Sequence, residues 1–149
     1  MKALSKIIST FFGVGYLPQF PGTVASALTI IAYYFLLHRL NWIPFIFLII
    51  FVFLVGVYFS NLHQRDSEEE DPSKIVIDEV GGQLAGIFLV PPRLFYLFLA
   101  FLIFRYLDIV KPFSLKKVEA LPGGWGVMVD NLVAGILTAI IMHLILIFV

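Results

Sequence analysis

The sequence predicts an all-α protein, an integral membrane helical bundle, and three observations predict it. Of 149 residues, 60% are hydrophobic and only 13% charged, and the mean hydropathy is +0.99, values that belong to a chain in lipid. Several apolar runs approach the roughly 20 residues that a helix needs to cross hydrocarbon. The polar and glycine-rich stretches gather at the ends of those runs.

Each element follows in order along the chain. Lys2 to Phe12 reads as a short amphipathic interfacial helix. Val24 to Leu40 and Trp42 to Phe59 are two apolar spans broken only at Asn41 to Pro44, so they form a tight helical hairpin with Trp42 near an interface. The polar segment Ser60 to Lys74 returns the chain to water. Ile75 to Leu107 is too long for one crossing, and Pro91 and Pro92 divide it where a helix cannot continue. Its first helix is preceded by Asp71, Pro72 and Ser73, with Asp71 suited to cap and Pro72 to open the helix. Its second helix begins at Pro92. Met128 to Val149 makes the last apolar helix. About five membrane helices, some short, and one interfacial helix result, within a single domain over residues 1–149 that shows no internal repeat.

Orientation comes from the basic residues. With the N-terminus in the cytoplasm, Lys2, Lys6, Arg65, Lys74, Arg105, Lys111, Lys116 and Lys117 lie on that side and only Arg39 and Arg93 lie outside, as the positive-inside rule requires. No secretory leader is expected, because Lys2 to Phe12 is short and polar and Gly13 to Pro21 lacks a small-residue cleavage pattern. Ten basic and ten acidic side chains cancel, so bulk attraction to nucleic acid has no support. The absence of cysteine excludes disulfides, thiolate metal sites and cysteine nucleophiles.

Four stretches remain, and this topology sends all of them to the cytoplasmic ends of helices: "GVGYLPQFPGTVAS", "DPSKIVIDEVGGQLAG", "FRYLDIVKP" and "LPGGWGVMVDNLVAG". Asp78, Glu79, Arg105, Asp108 and Asp130 lie within or beside apolar helical runs, where a charge costs about 3 kcal/mol unless it is paired or faces water. On one helix Arg105, Asp108 and Lys111 span about 120° of circumference and can face a common pocket. The plainer alternative is an i,i+3 pair between Arg105 and Asp108, with Lys111 reaching for the interface. Asp78 and Glu79 point about 100° apart, so one can bind a cation while the other pairs with Arg105 or Lys74. Asp130 opens the last helix, where a carboxylate also suits the helix dipole, and Gly123, Gly124 and Gly126 precede it. Taken jointly, these acids and bases at one face suit a hard divalent cation, Mg²⁺, together with an anionic substrate. Thr23 and Ser26 can donate hydroxyls to phosphate from a helix start, or simply cap that helix.

Other features read as structure. Gly13, Gly15 and Gly22 are no nucleotide loop, since no Walker lysine follows. Glu68 to Asp71 reads as a solvated loop. His38, His63 and His143 show no ligand spacing, with His143 a core or pore-facing polar group. Trp125 and the tyrosines serve as interfacial anchors.

Taken together, the four stretches resemble the phosphatidylglycerophosphatase A family over most of the chain. "LPQFPGTVAS" looks like its N-terminal signature, "DPSKIVIDEVGGQLAG" its acidic helix, "FRYLDIVKP" its arginine-aspartate-lysine segment and "LPGGWGVMVDNLVAG" its C-terminal acidic motif. The resemblance implies a Mg²⁺-dependent enzyme of bacterial membranes that removes the terminal phosphate of phosphatidylglycerophosphate to give phosphatidylglycerol. The expected catalytic residues are Asp78, Glu79, Asp108, Asp130 and Asn131, with Asp78, Glu79 and Asp130 as candidate metal ligands or base. Thr23, Ser26, Arg105 and Lys111 are expected to bind the substrate phosphate. One departure stands out: the last motif typically carries paired aspartates, where this chain has Asp130 and Asn131. Asn131 keeps the shape of aspartate without its charge: either this chain manages with Asp130 and the other acids, or Asn131 is an engineered substitution that weakens or silences the site. Cysteine, D-x-D and phosphohistidine phosphatase motifs are all missing, as is the CDP-alcohol transferase pattern, which leaves a carboxylate and metal route. A small transporter or channel, or a catalytically silent lipid-binding protein, is the alternative reading.

Overall fold

The computed structural model describes residues 2–66, 72–112 and 121–149. Within them the chain forms six α-helices: α1 Lys2–Ser9, α2 Pro21–Phe35, α3 Trp42–Asp66, α4 Ile77–Gly86, α5 Leu94–Val110 and α6 Gly124–Phe148. Short 3-10 turns at Val14–Tyr16, Leu37–Arg39 and Pro72–Lys74 join them. No strand occurs among the described residues.

Two helices, α3 and α6, are long and apolar enough to cross a membrane. Only 22% and 28% of their most apolar windows are buried inside the protein, whereas the core helix of a soluble protein is mostly enclosed. Phe47, Phe51 and Leu54 on α3 and Ile140, Leu144 and Ile147 on α6 all face outward, a continuous apolar exterior of the kind that meets lipid or a partner. The first helix has the same inversion. Ser5 and Ser9 face the protein, while Leu4 and Ile7 look away from it.

The boundaries differ from the expected ones in instructive ways. Helix α2 begins at Pro21, with Pro at the favoured first position, and stops at Phe35 rather than Leu40. Helix α3 continues past Phe59 to Asp66, because its polar residues find partners instead of water. Buried His63 shares a 3.0 Å hydrogen bond with Ser9 of α1, and Asn61 accepts a 2.8 Å bond from the Gly124 N–H that opens α6. Asp71, the expected cap, lies outside the described residues, as do Glu68 to Glu70 and Lys116 and Lys117. Pro72 falls in a 3-10 turn, and Val76 precedes α4 without a side-chain cap.

The double proline divides Ile75 to Leu107 as expected, but α4 ends before it, at Gly86, and α5 starts after it, at Leu94. Ten residues of α4 rise only about 15 Å, half the hydrocarbon thickness. The returning backbone is therefore held within the protein. The buried Tyr33 hydroxyl donates to the Val90 carbonyl at 2.6 Å, satisfying an acceptor that apolar surroundings would leave unpaired.

Helix α4 is central, touching α2, α3, α5 and α6. Its closest neighbour is α6, and glycine permits that approach: a Cβ on Gly82 would overlap the Asn131 carbonyl and the Phe104 ring, and one on Gly135 would overlap the Gly82 carbonyl. Every residue of α4 except Glu79 is buried. This packing brings the first turns of α4 beside the first turns of α6.

Candidate active site

Four helix ends meet at one end of the bundle. The start of α2 brings Gly22 against Glu79, with Thr23 and Ser26 following on its first turns but, among the described residues, in no hydrogen-bonded contact with the charged groups that would place them in the site; the first turn of α4 supplies Asp78 and Glu79. The end of α5 brings Arg105, Asp108 and then Lys111, and α6 brings Asp130 and Asn131. The convergence expected of the four sequence stretches is thus realised through specific contacts.

Asp78 and Asn131 join α4 to α6. Asp78 is 5% exposed and Asn131 4%, and the Asn131 amide Nδ2 donates to Asp78 Oδ2 at 2.6 Å. The same amide lies 3.4 Å from the Val127 carbonyl. Placing the amide nitrogen toward both acceptors is the only orientation that avoids opposing oxygen to oxygen.

Arg105 ties α5 to α4. Its Nη1 lies 2.7 Å from Asp108 Oδ2 and 4.0 Å from Glu79 Oε1. Of the two partners weighed for the acidic pair, Arg105 therefore meets Glu79, whereas Lys74 lies over the Tyr16 ring, 5.3 Å from its centroid. Glu79 is also pressed against the start of α2, since a Cβ on Gly22 would overlap its Oε1. A carboxylate there sits at the positive end of the α2 dipole.

Lys111 ties the end of α5 to α6, its Nζ 2.7 Å from Asp130 Oδ2. Two expectations change here. Lys111 does not share a helical face with Arg105: α5 ends at Val110, and Lys111 caps it in the left-handed region at φ 49°. That conformation costs a non-glycine residue about 1 kcal/mol and turns the side chain toward Asp130. Asp130 also does not open the last helix, because α6 starts at Gly124 and places it in the second turn.

Several buried polar atoms at this end of the protein have no hydrogen-bond partner among the described residues: Asp78 Oδ1, Glu79 Oε2, Asn131 Oδ1, Arg105 Nε and Ser26 Oγ. Groups like these are expensive to leave unsatisfied. Gln83, one turn beyond Glu79, is fully buried with both amide atoms unpartnered. Sequence reasoning passed over it, although an amide in the apolar run four residues after Glu79 was a visible signal. His143 bonds the Ala139 carbonyl of its own helix at 2.7 Å.

The donor chemistry bears on the Mg²⁺ that the resemblance implies. Three orphaned oxygens, on Asp78, Glu79 and Asn131, are the hard ligands Mg²⁺ takes. Among the described residues, no group of three or more Asp, Glu, His or Cys side chains could hold a metal by itself. The set fits a cation bound by one or two carboxylates and completed by phosphate oxygens or water, the usual Mg²⁺ arrangement at phosphate sites.

Fold and site define the class first: a small helical protein, apolar over its exterior, with acids and bases packed together at one end of its helices. Residues 7–146 match the family model described as Phosphatidylglycerophosphatase A. The chain belongs to that family, an enzyme family of phosphoric monoester hydrolases. It is 30% identical to the Phosphatidylglycerophosphatase A of Escherichia coli over 93% of this chain and 81% of that protein. Against the Haemophilus influenzae Phosphatidylglycerophosphatase A, identity is 30% over 91% of this chain and 85% of that one. A Bacteroides thetaiotaomicron protein named "Putative phosphatidylinositol-3-phosphatase" is 37% identical, with 93% and 91% covered. No solved structure matches at a significant level.

Proposed function

We propose that this chain hydrolyses the terminal phosphate of phosphatidylglycerophosphate, releasing phosphatidylglycerol and inorganic phosphate, and that it does so with Mg²⁺ at the cytoplasmic face of a bacterial membrane. The observation that carries the proposal is that two cations, Arg105 beside Asp108 and Glu79 and Lys111 beside Asp130, sit at the same end of an apolar bundle as the unpartnered oxygens of Asp78, Glu79 and Asn131. Charges lining a transport path would be expected nearer the midplane.

In this reading the acyl chains stay on the apolar, outward side of the bundle while the headgroup enters between the ends of α2 and α5. Arg105, steadied by Asp108, and Lys111 balance the negative charge on the phosphate oxygens and stabilise the transition state. Thr23 and Ser26 donate hydroxyls to the same oxygens. Asp78 and Glu79, with Asn131 Oδ1 and Asp130, would hold Mg²⁺, which when bound neutralises phosphate charge and acidifies water. A carboxylate of this set accepts the proton of the attacking water as the P–O ester bond breaks, the departing glycerol oxygen is protonated by solvent water, and the carboxylic acid returns its proton to solvent, so that no net proton is gained or lost by the protein. Asn131 contributes a neutral oxygen where a second carboxylate would bind the cation more strongly.

The orientation rests on the basic residues of the site end, and a multi-pass arrangement on α3 and α6 with α2, α4 and α5 filling the bundle. The test is phosphate release by purified protein in detergent, with Mg²⁺ or with EDTA, from phosphatidylglycerophosphate and from phosphatidylinositol 3-phosphate. Mg²⁺-dependent release from the first supports the proposal, and preference for the second transfers the same chemistry to the headgroup in the Bacteroides relative's name. Alanine at Asp78, Glu79 or Asp130 should abolish release while the protein stays folded; undiminished turnover in all three variants would end the proposal.

A further inference from the structure

Two apolar grooves run along the outside of the bundle, and their relation to the charged end differs. One, of about 630 Å³, lies among α3, α4 and α6, from Ile46 and Ile50 to Leu132 and Ile147. The helical row through its α6 wall, Leu132, Ile136 and Ile140, leads back four residues to Met128, whose side chain packs at Gly56 and Gly81. That row ends on the apolar packing of Met128 rather than on a charged side chain.

The other groove, of about 430 Å³, lies between α2 and α5 and is lined by Ala27, Ile30, Ile31, Leu94, Phe98 and Phe101, among others. Its two walls run directly into the site. On α2, Ala27 and Ile31 continue the row that begins at Thr23; on α5, Leu94, Phe98 and Phe101 lead one turn further to Arg105. Helix α2 starts at the charged end and α5 finishes there, so both rows arrive together. Ile31, Leu94 and Phe98 are half or more exposed, which leaves the groove open to its surroundings along its length. From Leu94 to Arg105 the helix rises about 16 Å, enough for the upper part of an acyl chain beneath a headgroup.

We infer that the α2–α5 groove binds one acyl chain of the lipid substrate and so delivers the headgroup phosphate to Arg105. The inference rests on the phosphatase reading above and adds to it a chain-recognition site. The occupant is a lipid chain because the groove joins a wholly apolar trough to a cationic end, the polarity of a phospholipid itself. An acyl chain lying against Phe98 and Ile31 fixes the depth of the headgroup, so binding energy far from the phosphorus is used to position it.

The test compares phosphatidylglycerophosphate carrying two oleoyl chains with its water-soluble dibutanoyl analogue. Ile31→Trp and Phe98→Trp, both at exposed positions, fill the groove; Ile136→Trp fills the other one. The expected result is a fall in kcat/KM of fivefold or more on the dioleoyl substrate for both groove variants, with the dibutanoyl rate within twofold. Ile136→Trp should leave both rates within twofold. Equal losses on both substrates, no loss on either, or a selective loss from Ile136→Trp instead would overturn the inference. Release from neither substrate by the unaltered protein overturns the phosphatase reading, and the inference with it.

Discussion

Replacing Asn131 with aspartate exchanges a hydrogen-bond donor for a negative charge against Asp78. The Asn131 amide now donates to Asp78 Oδ2 at 2.6 Å, between two side chains that are 4% and 5% exposed. The amide thus does for Asp78 part of what a cation would do. With aspartate in its place, two unit charges at that separation repel by about 6 kcal/mol at an effective dielectric of 20. A lost hydrogen bond to a charged group adds about 1.5–3 kcal/mol. The pair will relax by parting or by taking up a proton, so roughly half of the repulsion, about 3 kcal/mol, should reach the measured stability. With the lost hydrogen bond the total is about 5 kcal/mol, which for a protein of this size lowers Tm by about 10–20 °C. Mg²⁺, which Asp78 and the new carboxylate would hold, should restore it, since a ligand that binds only the folded state stabilises it. The assay is thermal melting in detergent of the native chain and Asn131→Asp, each in EDTA and in Mg²⁺, with phosphate release measured alongside. The variant should melt lower in EDTA, recover in Mg²⁺ and turn over faster than the native protein. Equal melting of the two proteins in EDTA, with no Mg²⁺ response and equal turnover, would refute the reasoning.

Three further outcomes follow from the same geometry. Gly22→Ala places a Cβ on the Glu79 carboxylate and should cut kcat roughly 10–100-fold by displacing it, with the α-helical circular dichroism unchanged. Lys111→Ala removes the cation 2.7 Å from a nearly buried Asp130 and should cost about 3 kcal/mol; adding Asp130→Asn should restore stability in denaturation assays without restoring turnover. Gly82→Val drives side-chain atoms into the Asn131 carbonyl and the Phe104 ring, for an expected loss of about 1–3 kcal/mol and a parallel drop in activity, because α4 must move away from α6.

Much of this protein was legible without coordinates. Hydropathy alone separates the apolar helices, Pro91 and Pro92 forbid a continuous helix through 75–107, and the charged stretches are few enough in an apolar chain that they must find one another. Other features were beyond its reach. The length of α4 could not be read, because the apolar run hides that its residues are buried by four neighbouring helices rather than by lipid. The extension of α3 to Asp66 could not be read either, since Asn61 and His63 look like solvent-seeking residues until Gly124 and Ser9 are found beside them.

The sequence by itself determined that the chain is helical, that its exterior is apolar and that acids and bases gather where helices end, because these depend on residue type and spacing. Only the tertiary structure decided which acid meets which base. Arg105 with Asp108 is the i,i+3 pair that the sequence already offers, but Asp78 with Asn131 depends on how closely α4 approaches α6 across Gly82 and Gly135, Arg105 with Glu79 on the packing of α5 against α4, and Lys111 with Asp130 on the left-handed turn that takes Lys111 off its helix. A distance between helices is a property of all their contacting surfaces at once, and periodicity along one helix carries no measure of it.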